Sequence, residues 1–315
     1  MNNRNHSIDI LKFLAATMVV IVHSVGWAAH SIMMPAARCA VPCFFMISGF
    51  LLYNPNGIGH ERLARNVRHI AGLCAWALPL CLVADVIVML YTNTLHWPNM
   101  FYFIAANYYP YSIGGHLWYL FAYLYVLLIV MFVDKHRLWK CLFAAAPLLL
   151  TAYFWLQLHG GPMRNFLVEG LPYFTIGAMV KLWRTRTSIA TNVKFCWGGV
   201  IFFLSTSYIE AWLTRDLFAA YCRESFFSTP LLALFLLLTA LSVHKSKPNW
   251  LSRLGSDYSV YIYIFHTFFI RGLFPFVNHF LPKVWLQAYA ICCPFIAIAL
   301  CIALTYVLKR MKWIK

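Results

Sequence analysis

Long runs of apolar residues alternate with short polar segments along the whole chain. Ten runs are candidates for membrane-spanning helices, because about 20 apolar residues at a rise of about 1.5 Å each cross the hydrocarbon core of a bilayer. They lie at about 8–29, 39–54, 69–91, 116–133, 138–157, 167–183, 195–213, 225–243, 257–273 and 286–308. No internal repeat or soluble segment interrupts them. The pattern predicts an all-α polytopic membrane helix bundle of about ten transmembrane helices, formed as a single domain over 1–315.

The second and sixth runs are short and contain proline and glycine, namely Pro42 and Gly49 in the second and Gly170, Pro172 and Gly177 in the sixth. A membrane tolerates an interrupted helix where its backbone is buried in protein or lines a cavity. We therefore expect these two spans to be broken or kinked.

Lysine and arginine are distributed unevenly between the loops. Of the 25 Lys and Arg residues, 19 fall at the two chain ends or in alternate loops, and the remaining six fall in the other loops. Cytoplasmic loops carry the excess of positive charge in membrane proteins. Both termini are therefore predicted to be cytoplasmic.

Composition excludes an ordinary soluble domain, since 62% of the residues are hydrophobic and only 11% are charged, against roughly 25% charged in soluble proteins. The net charge of +16 does not indicate a nucleic-acid partner, because the charges lie in short loops between spans. The first run is too long for a cleavable signal peptide. The ten cysteines form no CxxC pair and no zinc-like cluster, so we expect them to pack as small apolar residues and expect no metal.

The first run, 8–29, contains three ionisable residues on one helical face. At about 100° per residue, Asp9, Lys12 and His23 fall within roughly 60° of one another. An ionisable group inside a membrane span is costly and is a functional-site hypothesis by default. The alternative is that His23 simply hydrogen-bonds a neighbouring helix. Asp9 lies about 20 Å from His23 along the helix, so it either caps the helix or pairs with basic residues at the cytoplasmic end.

Other polar residues fall, by their depth along the predicted spans, in the middle or outer half of the bundle: Asp85, His116, Arg164, Glu169, Glu210 and His266. A histidine near its ordinary pKa is a natural general base at neutral pH. These residues suit acid–base chemistry or solute binding.

The cytoplasmic side offers a compact basic cluster of Arg62, Arg65 and Arg68. Residues three apart are neighbours on a helix surface, so Arg65 and Arg68 could hold one phosphate group together. The alternative is that the cluster only sets orientation and contacts lipid headgroups. Polar regions on opposite sides of the membrane, joined by the polar face of the first span, indicate that a molecule or chemical group crosses the membrane.

Five motifs, in order along nearly the whole chain, resemble those of acyltransferase family 3, the integral-membrane O-acyltransferases that modify bacterial surface glycans. The first is Lys12, ten residues and His23, which resembles an Arg-x10-His motif. The others are Arg65-x-x-Arg68; the segment from Arg38 through Pro42 to Ser48-Gly49-Phe50; His116-Leu117-Trp118-Tyr119-Leu120; and Ser259-x-Tyr261 followed by His266.

The resemblance implies acyl transfer from cytoplasmic acyl-CoA, commonly acetyl-CoA, to a hydroxyl of a glycan or lipid-linked sugar at the outer side of a bacterial inner membrane. It makes His23 the essential histidine, as general base or transient acyl carrier, and makes Arg65 and Arg68 ligands of the CoA phosphates. Lys12 stands where the family usually has Arg, and Lys lacks the planar fork that binds phosphate bidentately.

A hydroxyl nucleophile needs a base, and the tetrahedral oxyanion needs a donor. His116, Arg38 or Arg164 could supply the donor, and His116 could equally be structural. We expect Arg38, Arg164, Glu169 and His266 to contribute to substrate binding, and Arg38 to pair with an outer carboxylate.

A second interpretation is a transporter of an amino acid or sugar. The stretch from Arg164 and Asn165 through Glu169 to Phe174 is similar to an element of transport modules related to this family, and a broken sixth span would suit a transporter. Neither interpretation identifies the acceptor or the oligomeric state.

Overall fold

The computed structural model of the protein describes residues 4–24, 30–94, 107, 113–160, 164–187, 192–214, 223–280 and 282–313. Within these ranges the structure is helical and contains no strand. The α-helices are α1 (His6–His23), α2 (His30–Ala37), α3 (Ala40–Leu52), α4 (His60–Tyr91), α5 (Trp118–Lys135), α6 (Trp139–Leu158), α7 (Leu171–Arg186), α8 (Val193–Leu213), α9 (Thr229–Ser242), α10 (Trp250–Asp257), α11 (Ser259–Thr267), α12 (Phe274–Phe280) and α13 (Lys283–Arg310). A 3-10 turn, Gly114–Leu117, precedes α5, and π-helical turns, Phe166–Gly170 and Phe268–Gly272, precede α7 and follow α11.

The all-helical membrane fold is confirmed. Each of the ten predicted runs contains a helix, and seven helical segments in the described ranges are long and apolar enough to cross a membrane. These are His6–His23, His30–Leu52, His60–Tyr91, Gly114–Lys135, Trp139–Leu158, Ser259–Phe280 and Lys283–Arg310. Helix α9 is apolar but only 14 residues long. The count of ten spans and the cytoplasmic location of the termini stay predictions.

Helix α1 lies at the centre of the bundle, in contact with α2, α3, α9, α10, α11 and α13. Its start is fixed by Asn5, whose side-chain oxygen accepts from the backbone N–H of Ser7 at 3.0 Å and caps the helix. The Asn5 amide also donates to the carbonyl of Ala240 at 3.0 Å, which ties α1 to the end of α9. Gly255 of α10 packs directly on α1, since a Cβ there would lie 1.7 Å from the Asp9 carbonyl oxygen.

Helices α3 and α7 make the most extensive helix–helix contact among the described residues, and two glycines make this possible. A Cβ on Gly49 would lie 1.9 Å from the carbonyl oxygen of Phe174, and a Cβ on Gly177 would lie 1.9 Å from that of Met46. Small residues at a helix interface let the backbones approach closely. These glycines therefore serve packing inside continuous helices. The irregularity of the sixth run lies instead in the π-helical turn that ends at Gly170.

Candidate active site

Three histidines from three different elements meet inside the bundle. His23 is the last residue of α1, His116 lies in the 3-10 turn before α5, and His266 lies in α11. The ring centroids are 5.0 Å apart for His23 and His266, 4.9 Å for His116 and His266, and 6.2 Å for His23 and His116. We call these residues the histidine cluster.

His116 is held from both ends of its imidazole. Its Nδ1 lies 2.9 Å from the carbonyl oxygen of Ile113 and 3.2 Å from the hydroxyl of Thr267, which can donate to it, and its Nε2 lies 3.2 Å from the carbonyl oxygen of Ile264. The hydroxyl of Tyr263 donates to the His116 carbonyl oxygen. The ring is buried, and neither nitrogen is left over for a group outside these contacts.

Asp85 positions His116 and does not belong to the cluster. Its carboxylate accepts from the backbone N–H groups of Ile113 at 2.8 Å and Gly114 at 3.0 Å, which fixes the turn that carries His116. Glu210, expected at similar depth, accepts from Arg223 at 3.1 Å and from the backbone N–H of Phe227 at 2.8 Å. Both carboxylates therefore hold the backbone of nearby loops.

His266 is fully buried and hydrogen-bonded on one side only. Its Nδ1 lies 2.7 Å from the carbonyl oxygen of Tyr263 and 3.1 Å from that of Ile262. Carbonyl oxygens only accept, so Nδ1 carries the proton. The other nitrogen, Nε2, is buried and has no hydrogen-bond partner among the described residues.

A small polar cavity of about 50 Å³ lies on the His23 side of the cluster. We call it the outer pocket. Its polar lining consists of His23, Arg38, Arg164, Glu169 and Glu224. Three of the four predicted substrate-binding residues, Arg38, Arg164 and Glu169, therefore lie beside His23 in the outer pocket. The fourth, His266, does not line this pocket.

Glu224 joins the two arginines of the outer pocket. Arg38 Nη1 donates to its carboxylate at 3.3 Å and Arg164 Nε at 2.8 Å, while Arg164 Nη2 makes a further bond to the second oxygen. Arg38 thus pairs with a carboxylate, as predicted, and the location of the pair on the outer side of the membrane stays a prediction. Burial acts to raise the pKa of the Glu224 carboxyl, but the charges of Arg38 and Arg164 outweigh this and hold the pKa below its usual range.

The sequence-based prediction missed Glu224. It follows Arg223 in the loop before α9, where no helical depth can be assigned to it. The sequence did indicate that Arg38 needs a carboxylate as counter-charge, but it did not identify which carboxylate.

A second cavity of about 180 Å³ lies on the other side of the histidine cluster. We call it the inner pocket. It runs between α1, α3, α4, α5, α10 and α11, and its polar lining is Lys12, Ser48, His69, Tyr119, Tyr123, Ser256, Ser259 and Tyr263. Tyr263 reaches the cluster, because its ring centroid lies 5.2 Å from that of His116 and 6.2 Å from that of His266.

The inner and outer pockets have no lining residue in common, and His266 lines neither of them. His116 and His266 lie between Tyr263 of the inner pocket and His23 of the outer pocket. The cluster is therefore a thin wall with a cavity on each side.

Basic residues surround the entrance to the inner pocket. Lys12 donates to Asp9 at 3.1 Å, and the same buried carboxylate binds Arg4 through two bonds of 2.9 and 3.0 Å. Of the two roles left open for Asp9, pairing with basic residues is the one observed. A broader cavity of about 540 Å³ shares Lys12 with the inner pocket and is also lined by Arg4, Lys181, Arg184 and His244.

Arg65 and Arg68 are exposed on α4, which begins at His60, nine residues earlier than the predicted span. Arg65 lies one helical turn before His69, which lines the inner pocket. The basic cluster and part of the lining of the inner pocket thus belong to one continuous helix. No group of three or more His, Cys, Asp or Glu residues suited to a metal ion occurs in the part of the chain described here.

Comparison with known proteins gives one match. A family model described as an acyltransferase domain matches residues 5–305, nearly the whole chain. No curated protein and no solved structure matches. The transporter interpretation gains no support from the match, which spans the histidine cluster and both pockets. The motifs, the helical membrane fold and the family model agree, and the chain belongs to acyltransferase family 3 as a membrane acyltransferase.

Proposed function

We propose that the protein is an O-acyltransferase that moves an acyl group, commonly acetyl, from cytoplasmic acyl-CoA to a hydroxyl of a glycan or lipid-linked sugar at the outer side of a bacterial inner membrane. The observation that carries this proposal is the histidine cluster with a cavity on each side. An enzyme whose two substrates arrive from opposite faces of a membrane needs separate entrances that end at one set of reacting groups. The inner and outer pockets would be these two entrances, and the histidine cluster between them would hold the reacting groups.

The inner side suits an acyl-CoA. Lys12, Arg65 and Arg68 would bind the CoA phosphates, with further positive charge from the cavity that contains Arg4 and Arg184. Cations paired with phosphate make charge-assisted hydrogen bonds. Hydroxyl groups of Ser48, Ser259 and Tyr119 along the inner pocket can hydrogen-bond the amides of a pantetheine arm that extends towards the cluster.

The outer side suits a hydroxyl acceptor. His23 would take the hydroxyl proton as the oxygen attacks the thioester carbonyl, or would carry the acyl group transiently. Arg38 or Arg164 would stabilise the oxyanion, and Glu169 would orient the acceptor through its other hydroxyls. His116 would hold the wall of the site, because both of its ring nitrogens face backbone oxygens.

The test uses the protein in native membranes, which hold the acceptor, with acetyl-CoA as donor. We expect acceptor-dependent release of free CoA, and we expect His23→Ala to lower it at least about 100-fold, since a general base contributes 10²–10⁴-fold. The matched control is His159→Ala, an exposed histidine on the loop after α6. Full activity in His23→Ala, with inserted protein at the wild-type level, removes His23 from the reaction.

Donor binding has its own test. Arg65→Ala and Arg68→Ala should raise the KM for acetyl-CoA and leave membrane insertion unchanged. If both variants insert wrongly, the arginines set topology. The acceptor would be identified by mass spectrometry of envelope glycans from cells with the wild-type gene and with the His23→Ala gene, where loss of acetylated glycan is the expected difference.

A further inference from the structure

His266 has no role in the reaction proposed above, although its side chain lies at the centre of the histidine cluster. The imidazole is fully buried, lines neither pocket and leaves Nε2 without a partner among the described residues. A buried polar atom without a hydrogen bond destabilises the folded state, and such an atom in a folded protein calls for an explanation.

The protonation state of His266 follows from its contacts. Nδ1 faces two carbonyl oxygens, at 2.7 and 3.1 Å, so Nδ1 holds a proton. A proton on Nε2 as well would make a buried cation with an unsatisfied N–H, which is costly. Nε2 is therefore a fixed lone pair that needs a donor.

His23 is the neighbour that can supply this donor. A ring N–H···N bond of about 3 Å corresponds to imidazole centroids about 5 Å apart, and the His23 and His266 centroids are 5.0 Å apart with the rings inclined at 50°. The bond requires a rotation of the His23 ring, which lies at the end of α1. His116 is less suited to this role, because its Nε2 faces the Ile264 carbonyl and its Nδ1 faces the Ile113 carbonyl and the Thr267 hydroxyl.

We propose that His266 is the positioning residue for His23: its Nε2 accepts a hydrogen bond from one ring nitrogen of His23 and so fixes the tautomer in which the other nitrogen turns its lone pair towards the outer pocket. This deepens the proposed function and rests on it. In the reaction the acceptor O–H proton passes to that free nitrogen of His23, the acceptor oxygen forms a bond to the acyl carbon, and the C–S bond breaks with its electron pair on sulfur. The proton on His23 then passes to the CoA thiolate. Throughout, the Nδ1–H of His266 stays on the two carbonyl oxygens and keeps its ring in place.

Two matched substitutions separate this role from a packing role. His266→Asn keeps a side-chain N–H near the position of Nδ1 and can donate to the Tyr263 carbonyl, but it loses the atom at Nε2. His266→Gln extends an amide oxygen to the region of Nε2 and can accept the bond from His23. His159→Gln, on an exposed histidine, controls for the substitution itself.

The measurement is kcat and KM for acetyl-CoA in native membranes, beside the amount of inserted protein and its melting temperature. We expect His266→Asn to lower kcat at least about 100-fold with KM changed less than about twofold, and His266→Gln to recover at least tenfold of that loss. We also expect His266→Ala to gain activity when free imidazole is added. Asn and Gln variants of equal activity overturn the inference, as does a folded His266→Asn variant within about threefold of the wild type.

Failure of this inference differs from failure of the proposed function. If the wild type releases no CoA, the proposed function fails. If the wild type is active and His23→Ala is inactive while His266→Asn retains full activity, His23 remains in the reaction and only the role of His266 is lost.

Discussion

Glu224 balances the charge of the outer pocket, because it is the carboxylate that Arg38 and Arg164 share. The Arg38 side chain is only 9% exposed, and removal of the counter-charge leaves its guanidinium buried with less compensation. We predict that Glu224→Gln lowers the free energy of unfolding by about 3 kcal/mol, as for other broken buried ion pairs. Thermal unfolding of the purified protein measures this. Glu61→Gln, at an exposed position at the start of α4, should change it by less than about 0.5 kcal/mol, and equal effects of the two substitutions would contradict the role of Glu224.

The same pair gives a pH dependence with a defined sign. The pKa of Glu224 in the folded protein is below its ordinary value of 4.5, so its contribution to stability is complete above that pH and is lost as pH falls through the folded-state pKa. The difference in melting temperature between wild type and Glu224→Gln should therefore be constant from neutral pH to about pH 5 and shrink in more acidic solution. A difference that vanishes already near pH 7 would show that another group is responsible.

Depth along a helix can be read from a sequence, whereas the direction in which a side chain points cannot. Depth along the predicted spans puts His116 and His266 in the middle or outer half of the bundle, and their rings do meet that of His23. Depth does not reveal that Asp85 and Glu210 bind backbone N–H groups of nearby loops. Glu224 lies in a loop, where periodicity assigns no depth, and only the packing of α3 and the loop before α9 brings it to Arg38.

At the scale of the helices, the contact between α3 and α7 sets the shape of the outer pocket, since Arg38 lies just before the start of α3, Glu169 lies just before the start of α7, and both line the pocket. We predict that Gly177→Ala and Gly49→Ala each destabilise the protein by about 1–3 kcal/mol, the usual cost of overpacking. The added Cβ would meet a backbone carbonyl at 1.9 Å, and a helix backbone cannot move aside as a side chain can. The yield and the melting temperature of folded protein in detergent are the readouts.

Gly72 and Gly198 provide matched controls for this prediction. Both lie within helices, in α4 and α8, and a Cβ on either has no atom within 4 Å. Alanine at these sites should be neutral or stabilising by up to about 1 kcal/mol, because glycine lowers helix stability. Destabilisation of similar size at all four sites would show that the α3–α7 contact is not special.

Helices were predictable from apolar runs, and their local geometry was not. Glycine and proline in the second and sixth runs predict broken or kinked spans. The sixth run begins with a π-helical turn, whereas Gly49 and Gly177 lie in continuous helices and serve the contact between them. Glycine suits both a break in a helix and a close contact between two helices, and a single sequence does not distinguish these two uses. The early start of α4 at His60 escaped prediction for a related reason, since its first turns are polar and lack the apolar signal.

At the scale of the whole molecule, the bundle is organised around α1, whose two ends belong to different pockets. Lys12 lines the inner pocket and His23 lines the outer pocket. The sequence predicted polar regions on two sides joined by this helix. It did not predict that His116 and His266 lie between the two pockets, because these residues are about 150 positions apart in the chain and meet only on folding.

The direction of α6 in the membrane tests the orientation on which the two-sided reaction depends. Cys141, at the start of α6, is exposed and adjoins the loop with Lys135, Arg137 and Lys140 that is predicted to be cytoplasmic. His159 lies at the other end of this 20-residue helix, about 30 Å away. In a background with Cys222 and Cys292 replaced by serine, a membrane-impermeant maleimide should label His159→Cys in intact cells and Cys141 only after permeabilisation. Further replacement of Cys141 by serine should remove the second signal. Labelling of Cys141 from outside would reverse the bundle, place the outer pocket and His23 on the cytoplasmic side, and leave an acceptor at the cell exterior with no route to the base.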